Sequence, residues 1–164
     1  MSEKTEKRNF VVKNFEIKDL QEVYKLFFDA VHAINSKDYT KDQINAWAPE
    51  SMDSSKWEKD LSSTHTFCVW DQIKNIIVGF ANLRDDGYMD KGYVHKSYQA
   101  RGVGLLLLRT LESRAKDLGI KRLFADVSIT ARKSLEFMGY KVEKEQIVTC
   151  HGVEFMNYHM SKVL

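Results

Sequence analysis

Cysteine, proline and any surplus of one charge are scarce in this chain, and each scarcity closes off a class of protein. Cysteine occurs twice in 164 residues, at Cys68 and Cys150. That is too sparse for a disulfide framework or a paired zinc spacing. Two buried thiols in a reducing cytoplasm are expected, ahead of a disulfide or a nucleophile. The single proline, Pro49, leaves no proline-rich linker, and neither repeats nor low-complexity tracts interrupt the chain. Basic residues number 25 against 23 acidic ones, for a formal charge of +2, so no general field exists to attract nucleic acid. No apolar run approaches the ~20 residues that span a bilayer. Residues 1–8 are charged where a secretory signal would be apolar, and read as a flexible arm. A cytoplasmic protein without nucleic-acid or membrane partners is expected. The histidines at 32, 65, 95, 151 and 159 show no metal spacing, so no metal is expected.

What is present suits one α/β domain over residues 1–164, with 43% hydrophobic and 12% aromatic content. A first strand is expected at 10–12 and a helix at 16–33 with its apolar stripe. Thr40 caps a second helix over 41–48, with Gln43 at the capping-box position and Pro49 beyond its end. Asp53 caps a third, ending near Leu61. Strands follow at 66–70 and 76–83, and Asp85-Asp86-Gly87 turns into another at 88–95. A long helix from Val103 buries Leu107, Leu111, Ala115 and Leu118, and Gly119 stops it. The apolar strand at 123–127 suits burial on both faces, as a parallel neighbour of the strand at 88–95. A short helix spans 130–138, and a hairpin turns at His151-Gly152.

Gln99-Ala100-Arg101-Gly102-Val103-Gly104 organises the rest, running from the strand at 88–95 directly into the apolar helix. Strand, glycine turn and helix in that order make an anion site. The first helical turn offers backbone N–H groups without partners, and the helix dipole adds positive character there. Glycines at 102 and 104 clear side chains from the approach, and Arg101 can add a charged hydrogen bond. The bland alternative is a glycine turn that only reverses the chain. Neither common nucleotide loop is present, neither G-x-x-x-x-G-K-[ST] nor G-x-G-x-x-G.

The pattern Q-x-x-G-x-G resembles the acyl-CoA pyrophosphate loop of the GCN5-related N-acetyltransferases (GNAT). The match extends to Tyr93-Val94 before the loop and to the strand at 123–127, Ala131 and Gly139-Tyr140 after it. It covers roughly residues 65–162. The resemblance implies a mixed, mostly antiparallel sheet flanked by helices, with a splayed parallel strand pair holding the CoA arm. It further implies acetyl-CoA as co-substrate and direct transfer to an amine.

On this chain the resemblance assigns the pyrophosphate to Gln99, Ala100, Arg101, Gly102, Val103 and Gly104. It assigns the pantetheine arm to backbone groups of Tyr93, Val94 and His95, the N–H of Val94 or its neighbour polarising the thioester carbonyl. The facing wall comprises Ser128, Ala131, Arg132, Ser134 and Leu135; Arg132 and Lys133 either meet the phosphates or stay solvated. Asp90, sharing a strand face with Tyr88, is the candidate base, or else a salt-bridged strand carboxylate; Asp126 is a second candidate. The family often has Asn at the position of Ser128 and a Tyr acid at the position of Leu135. Leucine donates no proton. Either the thiolate, with a pKa of about 8.5 like a free cysteine's, leaves unassisted, or Ser128, a water or another tyrosine assists. Tyr39, Gln43 and Trp47 lie on neighbouring helical turns as acceptor-recognition candidates, Trp47 equally suiting the core. With Ser128-Ile129-Thr130-Ala131 and Asn157-x-x-Met160 they resemble the bacterial YafP-type branch of the family. The expected acceptor is a primary amine of a small molecule. Protein termini or lysines, and a CoA-binding module without catalysis, are the alternatives. A homodimer is compatible with this reading, and oligomeric state stays open.

Overall fold

Antiparallel pairing builds most of the structure, a computed structural model that describes residues 9–164. The expected arm at 1–8 lies outside the described residues. Strands β1 (Phe10–Asn14), β2 (His65–Asp71), β3 (Ile76–Leu83) and β4 (Met89–Val94) form one sheet in that order, every pair antiparallel. A second sheet has the order β5 (Arg122–Ser128), β7 (Val153–Val163), β6 (Lys141–Cys150), again antiparallel. The two meet at one parallel bridge, Tyr88 to Phe124, where the Phe124 N–H donates to Gly87 at 3.1 Å. With its flanking helices this is a mixed α/β fold.

Helices cover both faces of the first sheet. On one lie α1 (Leu20–Ala33), α2 (Lys41–Trp47) and α3 (Ser54–Ser62), burying Val23, Phe27, Val31, Ile44 and Leu61 against Cys68, Ile77 and Phe80. On the other, α4 (Val103–Asp117) buries Val103, Leu107, Leu111 and Ala115 against Val69, Val78 and Leu83. This burial on both sides explains why β2 and β3 read as nearly continuous apolar runs. Gly79 lets α4 approach: a Cβ there would stand 2.6 Å from Val103 Cγ1. The caps of α2 and α3 form as the sequence predicts. Thr40 accepts from the Gln43 N–H at 3.2 Å, Gln43 returns the bond at 2.8 Å, and Asp53 accepts from Lys56. His151 and Gly152, both at positive φ, close the β6–β7 hairpin.

Four expectations change, and one register slip is added. Residues 16–33 start with a 3-10 turn at Ile17–Asp19, boxed by Glu16 and Asp19, before α1 begins. Leu118 is 44% exposed, because α4 ends one residue earlier and leaves it as the cap. The short helix α5 is Arg132–Phe137, delayed because the Ser128 hydroxyl takes the Ala131 N–H at 3.1 Å. β5 is buried on one face only, through Leu123, Ala125 and Val127, with Asp126 outward. Its ladder partner is antiparallel β7, and toward β4 it makes the single parallel bridge. Finally, the β3–β4 register slips so that Leu83 faces Met89 and Asn82 faces Lys91. Asp90 is the extra residue of this bulge. Alternation breaks between Asp90 and Lys91, whose side chains meet at 2.8 Å, while Arg84 lies beside both Asp90 (3.5 Å) and the Tyr88 ring (4.8 Å).

Candidate active site

β4 is an edge strand. It pairs with β3 alone, and past the Tyr88–Phe124 bridge its other side carries no ladder. The His95 N–H donates to Val78 at 2.8 Å, continuing the β3 ladder. In an antiparallel pair alternate residues turn both backbone groups to one side. Tyr93 therefore faces β3 with His95, while Val94 and Gly92 face the open side. The Val94 carbonyl is occupied by the Gln99 amide at 3.0 Å, which also reaches His95 at 3.3 Å. Of the three residues expected to lend backbone groups, Val94 alone turns its N–H outward. Gly92, two residues back, does the same, and counting by two from Val94 would have found it.

The side chains of Tyr93 and His95 point elsewhere. Tyr93 packs among Phe27 and Phe80, and its oxygen accepts from Trp47 Nε1 at 3.1 Å. Burial pushes its hydroxyl well above the usual tyrosine range. His95 Nδ1 accepts from the Ser97 N–H at 3.0 Å, and burial lowers the imidazole's pKa.

Tyr98 anchors the loop that follows. It is 3% exposed and donates to Asp71 at 2.7 Å. Asp71 also accepts the N–H groups of Ile73 (2.9 Å) and Lys74 (3.2 Å). Burial opposes the charge of Asp71, but these donors win and hold its pKa low, while burial and Asp71 together push Tyr98 up to about 12. Arg101 lies over the Tyr98 ring at 4.8 Å. The chain then turns through two left-handed residues, Ala100 at φ 58° and Gly102 at φ 86°. Gly102 is the N-cap of α4 and supplies no side-chain cap. The first-turn N–H groups consequently point outward with no side chain bonded to them.

Glycine has a structural cause at 79 and 102, but not at 92 and 104. A Cβ on Gly104 would meet only Val94 Cγ2 at 3.7 Å, and one on Gly92 only Ala81 Cβ at 3.8 Å. Both are ordinary contacts, and neither residue has positive φ. A helical glycine costs about 0.8–1.0 kcal/mol relative to alanine, and a strand glycine also weakens its element. Two glycines that the fold does not require therefore border the same open edge. The protein's own packing gives no reason for glycine at either position.

The opposite wall starts where β5 ends. Ser128 Oγ accepts the Ala131 N–H and lies 3.4 Å from Asn35 Nδ2. Ala131 and Leu135 are half-buried, and Lys133 and Ser134 are exposed. Arg132 is engaged by Glu136 at 2.6 Å and by the Tyr158 ring at 4.4 Å. The segment between α1 and α2 fastens onto this wall. Tyr39 accepts the Ile129 N–H at 3.0 Å and donates to Met156 at 2.9 Å, while the Thr130 hydroxyl donates to Asp38 at 2.8 Å. Gln43 donates to the Glu154 carbonyl at 2.9 Å. The polar groups of Tyr39, Gln43 and Trp47 are thus all bonded within the protein. What they offer is an aromatic wall, with Tyr39 and Trp47 edge-to-face at 5.4 Å and Phe155 beside them.

The acidic candidates differ in their partners. Asp90 lies 2.8 Å from Lys91 and 3.5 Å from Arg84, with its side chain 16% exposed. Asp126 accepts from Tyr88 at 2.9 Å, Gln146 at 2.7 Å and His159 Nδ1 at 2.9 Å. Gln146 also donates to Asn157 at 2.9 Å. Burial raises the carboxyl's pKa, but the three donors outweigh it and hold Asp126 below its ordinary value. Burial and Asp126 push Tyr88 upward. Among the described residues no three metal-ligating side chains converge, and no helix is long and apolar enough to cross a membrane.

A family model described as the acetyltransferase (GNAT) domain matches residues 35–162. The chain is 34% identical over 153 residues to the uncharacterized N-acetyltransferase YafP of Escherichia coli (strain K12), covering 93% of this chain and 95% of that one. Its structure is similar to that of a GCN5-related N-acetyltransferase from Rhodopseudomonas palustris, with TM-score 0.89, 28% identity and 94% and 95% of the two chains covered. A PaiA N-acetyltransferase from Thermoplasma acidophilum, solved with coenzyme A, shares the fold at TM-score 0.74 and 18% identity over 94% and 99% of the chains.

Proposed function

Because the chain belongs to the GNAT family of acetyltransferases, we propose that it moves an acetyl group from acetyl-CoA directly to a primary amine of a small molecule. The pair of glycines without a structural cause, Gly92 and Gly104, carries this reading. The pyrophosphate sits against the N–H groups of residues 101–104, with Arg101 available beside them. The pantetheine arm runs along the open edge of β4 toward Ser128, Ala131 and Leu135. The N–H of Gly92 or Val94 receives the thioester oxygen as it gains negative charge, which is the contribution a fixed backbone donor makes to acyl transfer.

Direct transfer follows from the state of the thiols. Cys68 is fully buried, and burial pushes it up to about 12. Cys150 lies 3.5 Å from His151 Nδ1, but burial raises its pKa too. Neither is a thiolate nucleophile. Free cysteines and acetyl-CoA chemistry fit a cytoplasmic setting. A small acceptor is favoured because the segment at 35–39 bonds to residues 128–130 and to β7, closing the acceptor side against a long peptide. Leu135, with no hydroxyl to protonate the thiolate, favours the second reading, a CoA-binding module without catalysis.

Incubation with acetyl-CoA and a panel of amino acids, polyamines, amino sugars and lysine peptides separates the two. Thiol release matched by acetylated small amine is expected. Tight acetyl-CoA binding with no acetylated product would leave the binding module standing.

A further inference from the structure

The β5–β7–β6 sheet carries a polar constellation on its outward face. Cross-strand pairing places Asp126 opposite His159 and Ser128 opposite Asn157. Tyr88 reaches in from the lead of β4, and Gln146 from β6. This face borders the place where the two sheets part. Counting from the Tyr88–Phe124 bridge, Asp126 lies two residues along β5, and Gly92 three ladder steps along β4, the bulged Asp90 adding none. At about 3.3 Å per residue, the levels differ by roughly 3 Å along the strands. An amine between them would have the thioester on one side and the constellation on the other.

A proton acceptor for an ammonium group needs a free lone pair. Asp90 is already engaged by two cations, Lys91 at 2.8 Å and Arg84 at 3.5 Å. Asp126 has three donors on its two oxygens. The Tyr88 proton is already directed at Asp126. His159 differs. Its Nδ1 lies 2.9 Å from Asp126, so in the neutral ring an Nδ1–H given to that carboxylate puts the lone pair on Nε2, and its side chain is 25% exposed.

We propose that His159, oriented by Asp126, accepts the proton of the acceptor's ammonium group through Nε2. The inference rests on the acetyltransferase function proposed above. The ammonium proton passes to Nε2, and the freed nitrogen lone pair attacks the thioester carbon. A C–N bond forms, the C–S bond breaks with its electron pair retained by sulfur, and the second nitrogen proton goes to the departing thiolate. His159 then releases its proton to solvent, and Asp126 stabilises the imidazolium in between. The charged and titratable groups around the ring are Asp126 on β5, Tyr88 before β4, and Glu143 and Lys144 on β6.

The test uses the full chain, acetyl-CoA and the same amine panel. The rate in the intact protein should climb with pH along a limb, as a base that must be neutral to accept a proton requires. His159→Gln should lose about 10²- to 10⁴-fold in kcat together with that limb. Its acetyl-CoA affinity by calorimetry, and its melting temperature, should stay close to those of the parent. Ring ¹⁵N NMR supplies a readout independent of turnover: His159 should carry its proton on Nδ1, and Asp126→Asn should disturb that preference. A His159→Gln protein with the parent's rate and pH limb overturns the inference while leaving the acetyltransferase reading intact. So does an Asp90→Asn protein that loses more rate than His159→Gln, or a ring protonated on Nε2. A parent that binds no acetyl-CoA overturns both.

Discussion

The open edge of β4 and the outward face of β5–β7–β6 confront each other across the parting of the sheets, yet they are made of different material. The first is backbone: the N–H groups of Gly92 and Val94, a left-handed turn, and a helix start with no side-chain cap. The second is side chain: Asp126 receiving bonds from residues on three other elements. A backbone site tolerates almost any neighbour except a Cβ in the way, so it suits a ligand that never varies. A side-chain constellation is set residue by residue and suits the partner that distinguishes one enzyme from the next. Under the proposed function, CoA recognition belongs to the first region and acceptor chemistry to the second.

The contrast breaks most sharply at Gly104. Gly104→Val should weaken acetyl-CoA by about 100-fold, roughly 2.8 kcal/mol, while the circular dichroism spectrum stays native, because a Cβ at this position meets only Val94 Cγ2, at 3.7 Å. The anchor beneath the loop comes next. Tyr98→Phe deletes a buried hydrogen bond to a charged group, so denaturant unfolding should show a loss of about 2 kcal/mol. Asp71 keeps two N–H donors, which limits the damage.

The side-chain region should instead reveal itself in acid. The folded pKa of Asp126 lies below its ordinary value, so its stabilising contribution is complete above about pH 4. It disappears as pH falls through the folded value. The stability gap between the parent and Asp126→Asn should therefore be largest near neutrality and close below pH ~4, as urea midpoints measured across pH will register. The smallest effect belongs to Leu135. It is half-buried rather than sealed in the core, so Leu135→Ala should cost about 1–2 kcal/mol, at or below the low end of the range for buried leucines. A melting curve suffices to check it.

Legibility follows the same division. Thr40 and Gln43 stand three residues apart, and His151-Gly152 are neighbours, so cap and hairpin could be read locally. The glycine loop is equally local. Asp126 and His159 are 33 residues apart and meet only because β7 inserts between β5 and β6, an arrangement that no short-range pattern encodes. The histidine accordingly looked solitary. The bulge at Asp90 is illegible for a related reason, since an extra residue leaves no mark on composition. Tyr98 was overlooked between more conspicuous glycines, although a large aromatic inside a polar turn is itself a cue to an anchor. Leu118 misled because a helical stripe does not announce where its helix stops.

One titration reaches the central claim, that Gly104 is small for a ligand and not for the fold. Alanine at this position fits the protein's own packing and should raise helix stability by up to about 1 kcal/mol. Calorimetric titration of acetyl-CoA into Gly104→Ala should then show weaker binding in a protein that melts higher than the parent. Undiminished acetyl-CoA affinity in that stabilised variant would contradict the account.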